Sequence, residues 1–330
     1  MSALAPTLEA FFTERLMAQR QASPNTVAAY RDTWAMLLRF ARDRTGKEPN
    51  QLDIADLGAR LVSEFLDHLE SERHNGAGTR NARRAAVRAF FRYASLRHPE
   101  HAALIAQVLD VPAKRCERKD VTYLHPNEVE ALLSAPARGT WLGRRDHTLL
   151  RVAVQTGMRA SELIGLRNAD VELGAAAYVR CQGKGRKERS TPLDTRTVKI
   201  LRMWMNERGG APEDPLLPTR QGVRLTRNGV RGVVARHAAS AAQRCPSLLS
   251  KHLTPHTLRH TCAMELLRSG VDSAVIALWL GHERVETTAR IYLHGDLSIK
   301  ERALSRTTPP HSKPGRYRPE DRLLAFLGSL

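Results

Sequence analysis

Apolar positions in the first third of the chain recur every three to four residues. Behind the helix-start signal Ser23-Pro24-Asn25-Thr26, residues Val27, Tyr30, Trp34, Leu37, Leu38 and Ala41 fall on one helical face. Leu61, Phe65, Leu66 and Leu69 repeat the pattern. A third helix is predicted from Thr79 past Tyr93, after the turn Gly76-Ala77-Gly78, with Ala82, Ala86, Ala89, Phe90 and Tyr93 inward. Its other side carries Arg80, Arg84 and Arg88, four residues apart and so on one stripe. Period-two alternation is missing here, so residues 1–112 read as a mainly α helical bundle.

The stretch from Asp110 to Tyr123 has few apolar residues but holds Pro112, Lys114, Arg115, Arg118 and Lys119. It reads as a basic linker, 113–122. Beyond it the pattern is mixed. His125-Pro126-Asn127-Glu128 opens a helix through Val129, Leu132 and Leu133, and Asp146 to Thr156 forms another. Ala175–Cys181 reads as a strand, Gly183-Lys184-Gly185-Arg186-Lys187 as a turn, and Glu188–Leu193 as the return strand. Helices follow at Ile200–Glu207, Arg227–Ala242, His256–Ser269, Ser273–Leu280 and Glu286–Leu293, and an amphipathic one at 320–330. Residues 123–330 are therefore predicted as a mixed α/β domain, mostly helical with a small antiparallel sheet.

Length and charge sharpen this picture. A chain of 330 residues fits two domains of roughly 150 each. Lys plus Arg is 52 against 34 acidic residues, a net charge of +18. The excess is uneven. Residues 1–112 carry 15 basic and 13 acidic side chains, or +2, and residues 113–330 carry 37 and 21, or +16. Such an imbalance points to a polyanionic partner, nucleic acid first and an anionic membrane second. An apolar content of 42% supports real cores and excludes wholesale disorder. Cys116, Cys181, Cys245 and Cys262 form no C-x-x-C pair, which argues against a zinc ribbon or a disulfide scaffold. The longest apolar run, Ala274 to Leu280, is far short of the ~20 residues of a membrane helix. With no basic leader visible, a reduced, cytoplasmic compartment is expected.

Four motifs can carry chemistry. Thr156-Gly157-Met158-Arg159-Ala160-Ser161-Glu162-Leu163 places an Arg after a Gly turn. Gly183-Lys184-Gly185 puts a Lys at a hairpin tip. Pro255-His256-Thr257-Leu258-Arg259-His260 sets His256 and Arg259 at i and i+3. Leu280-Gly281-His282 ends an apolar helix and is followed by Tyr292. Singly these read as a surface Arg, a solvated Lys, a capping His and a packed Tyr. Together they suit metal-free phosphoryl transfer. Arginines bind phosphoryl oxygens in bidentate fashion, His and Lys move protons, and Tyr can form a covalent intermediate.

In this order and spacing the motifs resemble the tyrosine recombinase (phage integrase) family, over nearly the whole chain from about Thr7 to Gly295. Ser23-Pro24-Asn25-Thr26-Val27 and Thr79-Arg80-Asn81-Ala82-Arg83 resemble that family's SAM-like core-binding domain. Ile291-Tyr292-Leu293-His294 and Lys300-Glu301-Arg302-Ala303-Leu304 look like integrases and transposases of mobile elements, with Xer-type resolvases close behind. The resemblance implies a C-shaped clamp on double-stranded DNA and site-specific recombination through a 3′-phosphotyrosine and a Holliday junction. It implies that Arg159 and Arg259 clamp the scissile phosphate and that His256 exchanges protons with the nucleophile. By the same resemblance Lys184 is expected to protonate the leaving 5′-oxygen, His282 to bond a phosphate oxygen, Tyr292 to attack phosphorus and Glu162 to support the site from behind. No cofactor and no metal are implied.

The implied partners are an inverted-repeat core site, a homo- or hetero-tetramer that can include a second recombinase, and no membrane. A bacterial-type, nucleoid-associated location follows. The spacing departs from the family in one way: His282 and Tyr292 are one residue further apart, which calls for an insertion in the loop Glu283-Arg284-Val285 or for a bulge that absorbs it. Two rival readings share these features. One is a type IB topoisomerase-like nicking and resealing enzyme. The other is a catalytically inactive DNA-binding regulator, which would have no need for Tyr292 or Lys184. Arg80, Arg84 and Arg88 are candidate DNA contacts.

Overall fold

The computed structural model describes residues 3–116, 121–183 and 188–281. These fall into two compact units, Met1–Lys119 and Asp120–Leu330. The sites Lys184, His282 and Tyr292 lie outside the described residues, as do the expected helices at Glu286–Leu293 and 320–330.

The first unit is helical throughout its described residues. Helix α1 (Leu4–Ala10) runs on into a wider π-helical stretch, Phe11–Gln19, and α2 spans Pro24–Thr45. Ser23 caps α2 by accepting from the Thr26 amide, Pro24 occupies the first turn, and Gly46 ends it at φ 71°. Helices α3 (Ala59–Ser71), α4 (Ala77–Ala94) and α5 (Ala102–Asp110) complete the unit. One apolar cluster joins them, built around Trp34, Leu37, Phe65, Phe90 and Phe91. Trp34 and Phe90 meet edge-on at 4.5 Å. The aromatic pattern read from α2 and α4 is thus the core of the unit, although Ala82 is exposed.

The second unit begins with α6 (Pro126–Ser134) and α7 (Trp141–Thr156). Helix α7 starts five residues before the expected Asp146, because Thr140 caps it through the Gly143 amide. Helix α8 (Ala160–Gly165) leads to a three-stranded antiparallel sheet in the order β1 (Val171–Glu172), β2 (Tyr178–Gln182) and β3 (Glu188–Pro192). Val179 pairs with Thr191 and Cys181 with Arg189, so these four share one face of the hairpin. Helices α9 (Thr195–Arg208), α10 (Arg227–Ala242), α11 (Pro255–Arg268) and α12 (Ser273–Leu280) follow. Leu149, Leu150, Val179, Leu201, Trp204, Val234 and Leu258 share one buried core. A second cluster, with Cys262, Met264, Ile276 and Leu280, packs α11 on α12. No described helix is long and apolar enough to cross a membrane.

Candidate active site

Two glycines shape the site. Gly157 ends α7 at φ 62°, and a Cβ there would lie 2.5 Å from Leu280 Cδ2. Only glycine meets both the left-handed backbone and this close approach. The chain turns there and places Arg159 immediately before α8. Gly281 ends α12 in the same conformation, at φ 65°.

The last carbonyls of a helix have no intrahelical donor, and burying them unpaired is costly. At the end of α12 three consecutive carbonyls each accept from a different arginine. Arg189 Nε donates to Trp279 O at 3.1 Å, Arg259 Nη2 to Leu280 O at 2.7 Å, and Arg159 Nη2 to Gly281 O at 3.2 Å. Arg259 Nη1 also donates to Gly157 O at 2.7 Å. The helix-end dipole adds to the attraction for these cations. Arg159 and Arg259, 100 residues apart in sequence, are thereby brought to adjacent peptide groups.

Glu162 stands behind them, 6% exposed. Its Oε2 accepts from the Arg159 amide and its Oε1 from Arg159 Nη1, both at 2.8 Å. Arg189 grips the same carboxylate with two nitrogens, at 3.0 and 2.7 Å. Burial alone would raise the Glu162 pKa, but the Arg189 bond and charge, with Arg159, hold it below the ordinary carboxylate value. It stays ionised at neutral pH and fixes the direction of Arg159.

His256 sits in the first turn of α11, one turn before Arg259. It is exposed by surface area, yet partial desolvation, then the Arg259 and Arg159 charges, lower its pKa from 6.5. The two cationic neighbours and the helix N-terminus act in the same direction. Its imidazole is neutral at pH 7 and able to accept a proton. The neighbouring His260 is pushed down further, to about 4, by burial, then His256 and Arg259.

The structure thus joins Arg159, Glu162 and Arg259 in one bonded cluster, with His256 a turn away. Sequence reading missed Arg189. The signal was present: alternation along β3 puts Arg189 on the buried face with Thr191, opposite Cys181. Among the described residues no group of three or more His, Cys, Asp or Glu is arranged to hold a metal.

Along the Arg80, Arg84 and Arg88 stripe the surroundings differ. Arg80 is 5% exposed, not solvent-facing; its Nε lies 3.2 Å from Glu70 and its Nη2 3.6 Å from Asp67. Arg84 Nε donates to the Val111 carbonyl. A four-residue spacing winds about 40° per step around a helix, so the stripe spans about 80° from Arg80 to Arg88. Its first members turn toward α3 and the chain leaving α5, and Arg88, half-buried, has no ion pair among the described residues.

Comparison with known proteins agrees with the two-unit fold. Residues 122–298 match the phage integrase family and residues 10–98 match the phage integrase N-terminal SAM-like domain. The chain is 50% identical over its whole length to an integrase/recombinase, y4rC, of Sinorhizobium fredii, covering 99% of that relative. It is 30% identical to tyrosine recombinase XerC of Pelobacter propionicus, over 94% of this chain and 97% of the relative. Among solved structures, XerH site-specific recombinase bound to palindromic difH substrate, in a post-cleavage complex, aligns with a TM-score of 0.68 at 24% identity. That match covers 87% of this chain and 81% of that one. The helical first unit, the small sheet of the second, and the full-length match to integrases and Xer recombinases place the chain in the phage integrase family of tyrosine recombinases.

Proposed function

We propose that this chain, a tyrosine recombinase by family, cuts and rejoins double-stranded DNA at specific sites. Arg159 and Arg259 bind the non-bridging oxygens of the scissile phosphate. The Tyr292 hydroxyl attacks phosphorus and passes its proton to His256. The bond to the 5′-oxygen breaks, and that oxygen takes a proton from Lys184. The strand is left as a 3′-phosphotyrosine, which conserves the phosphodiester energy, so no cofactor is consumed. Attack by the 5′-hydroxyl of a second strand reverses the step, and two rounds pass through a Holliday junction. His282 bonds a phosphate oxygen. The substrate is an inverted-repeat core site held by a homo- or hetero-tetramer, in the cytoplasm on the nucleoid. Relatives named as integrases and recombinases support this reading over nicking-resealing or an inactive regulator.

One observation carries the reading: two arginines, one in the turn before α8 and one on α11, converge on one helix end, with an ionised Glu162 behind Arg159. The test is covalent capture. A pool of randomised duplexes is incubated with the protein in excess chelator, and detergent-resistant protein–DNA adducts are recovered. Wild type is expected to yield adducts that converge on one sequence, and Tyr292→Phe to bind that sequence but yield none. Adducts from Tyr292→Phe, or strict dependence of cleavage on Mg²⁺, would count against it.

A further inference from the structure

We propose that Arg189 is a positioning residue for the phosphate clamp, holding Arg159 through Glu162 and the end of α12 through the Trp279 carbonyl. The inference rests on the recombinase reading above. Arg189 is on β3, 11% exposed at its side chain, and reaches two other elements at once. Its two terminal nitrogens span both oxygens of Glu162, the bidentate geometry that fixes a carboxylate in plane as well as in distance. Its Nε fixes α12. The same carboxylate sets the direction of Arg159, and the same helix end receives Arg159 and Arg259. Arg189 is therefore the part common to both supports of the clamp.

Gly281 shows how closely the guanidinium is fitted. A Cβ on Gly281 would lie 2.8 Å from Arg189 Nη1 and 3.3 Å from its Cδ and Cζ. The helix can end under Arg189 only because this residue has no side chain. Lysine could keep the charge at position 189 but not the three-nitrogen reach, so a purely electrostatic role and a positioning role are separable.

The test uses the full-length protein and the duplex obtained by covalent capture. Arg189→Lys is expected to cleave about 10- to 100-fold more slowly in single turnover, since small misplacement of a catalytic group costs on that scale. Its DNA affinity should stay within about threefold of wild type. Arg159→Lys is made alone and with Arg189→Lys. A residue that acts through Arg159 leaves the double variant within about threefold of Arg159→Lys alone. If Arg189→Lys melts below the assay temperature, Glu162→Gln breaks the same link and should show the same non-additivity with Arg159→Lys. Losses that multiply in the double variant, or cleavage by Arg189→Lys at the wild-type rate, would overturn the role of Arg189. No adduct from wild type would instead overturn the recombinase reading.

Discussion

In α4 of the first unit, Arg80 faces two acids, Asp67 and Glu70, and its neighbour Arg84 holds the Val111 carbonyl. In the second unit Arg159, Arg189 and Arg259 converge on one helix end. Glu162 pairs there with Arg159 and Arg189. Both groups are buried or half-buried, and both satisfy backbone carbonyls. They differ in partners. At Arg80 two carboxylates of α3 meet the guanidinium, one of them also holding Lys114, and the contacts serve the fold, fastening α3 to α4 and the chain leaving α5 to α4. At the end of α12, Arg159 and Arg189 share Glu162 while Arg259 bonds two carbonyls. What separates the two groups is what the fold brings to each arginine, not spacing along a helix.

The largest effect should come from adding the site cation outside the described residues to that comparison. Lys184→Ala is expected to slow cleavage by about 10²- to 10⁴-fold, the usual range for a lost proton donor. A 5′-phosphorothiolate at the scissile position, whose sulfur leaves without a proton, should restore most of the rate. Absence of rescue would assign Lys184 to charge alone.

Burial, with the charges of His256 and Arg259, should also make the site hostile to a further cation. His260 titrates near 4 in the fold and near 6.5 when unfolded. Between those values the unfolded chain binds a proton that the folded chain does not, so stability falls as pH drops from about 6.5 toward 4. The loss is at most about 3 kcal/mol. Glu162, held below its ordinary value, adds a loss only as pH falls through the carboxylate range. Urea unfolding from pH 7 to 5 should show the decline, and His260→Gln should flatten it. An unchanged slope in that variant would mean that other groups carry it.

Arg80 should matter to the fold alone. Arg80→Ala is expected to cost about 2 kcal/mol, less than the ~3–5 for a wholly buried pair, because Asp67 is 64% exposed. Its folded fraction should cleave DNA at the wild-type rate. A cleavage defect without destabilisation would return Arg80 to the DNA-contact set. The smallest effect belongs to Arg88. If it meets a phosphate, Arg88→Ala should reduce the slope of log affinity against log salt by up to about one unit. An unchanged slope would leave it as a solvated side chain.

These contrasts also explain what the sequence could convey. Helices α10 and α12 are legible to the residue, because each has a capping side chain (Thr226, Asp272) and α12 is nearly all apolar. The hairpin of β2 and β3 follows from alternation. β1 is two residues long and carries no periodic signal. The π-helical stretch after α1 has no local signal of its own; its Phe11 packs against Tyr30 and Phe90 from distant helices. Arg159 and Arg259 were visible through their motifs. Arg189 was hidden in the charge run Arg186-Lys187-Glu188-Arg189, since its partners lie 27 and 90 residues away. The α4 stripe shows the converse: spacing shows which residues are aligned, but not which acids a neighbouring helix brings to them.

The account is tested most directly by the single-turnover cleavage rate of Arg259→Lys, measured with saturating protein on the captured duplex. Arg259 is tied to two carbonyls, one of them next to the carbonyl that receives Arg159. The predicted result is DNA affinity within about threefold of wild type and cleavage about 10²- to 10³-fold slower, the cost of losing one well-placed donor to transition-state charge. Cleavage at the wild-type rate, or a cleavage loss no larger than the loss of DNA affinity, would contradict it.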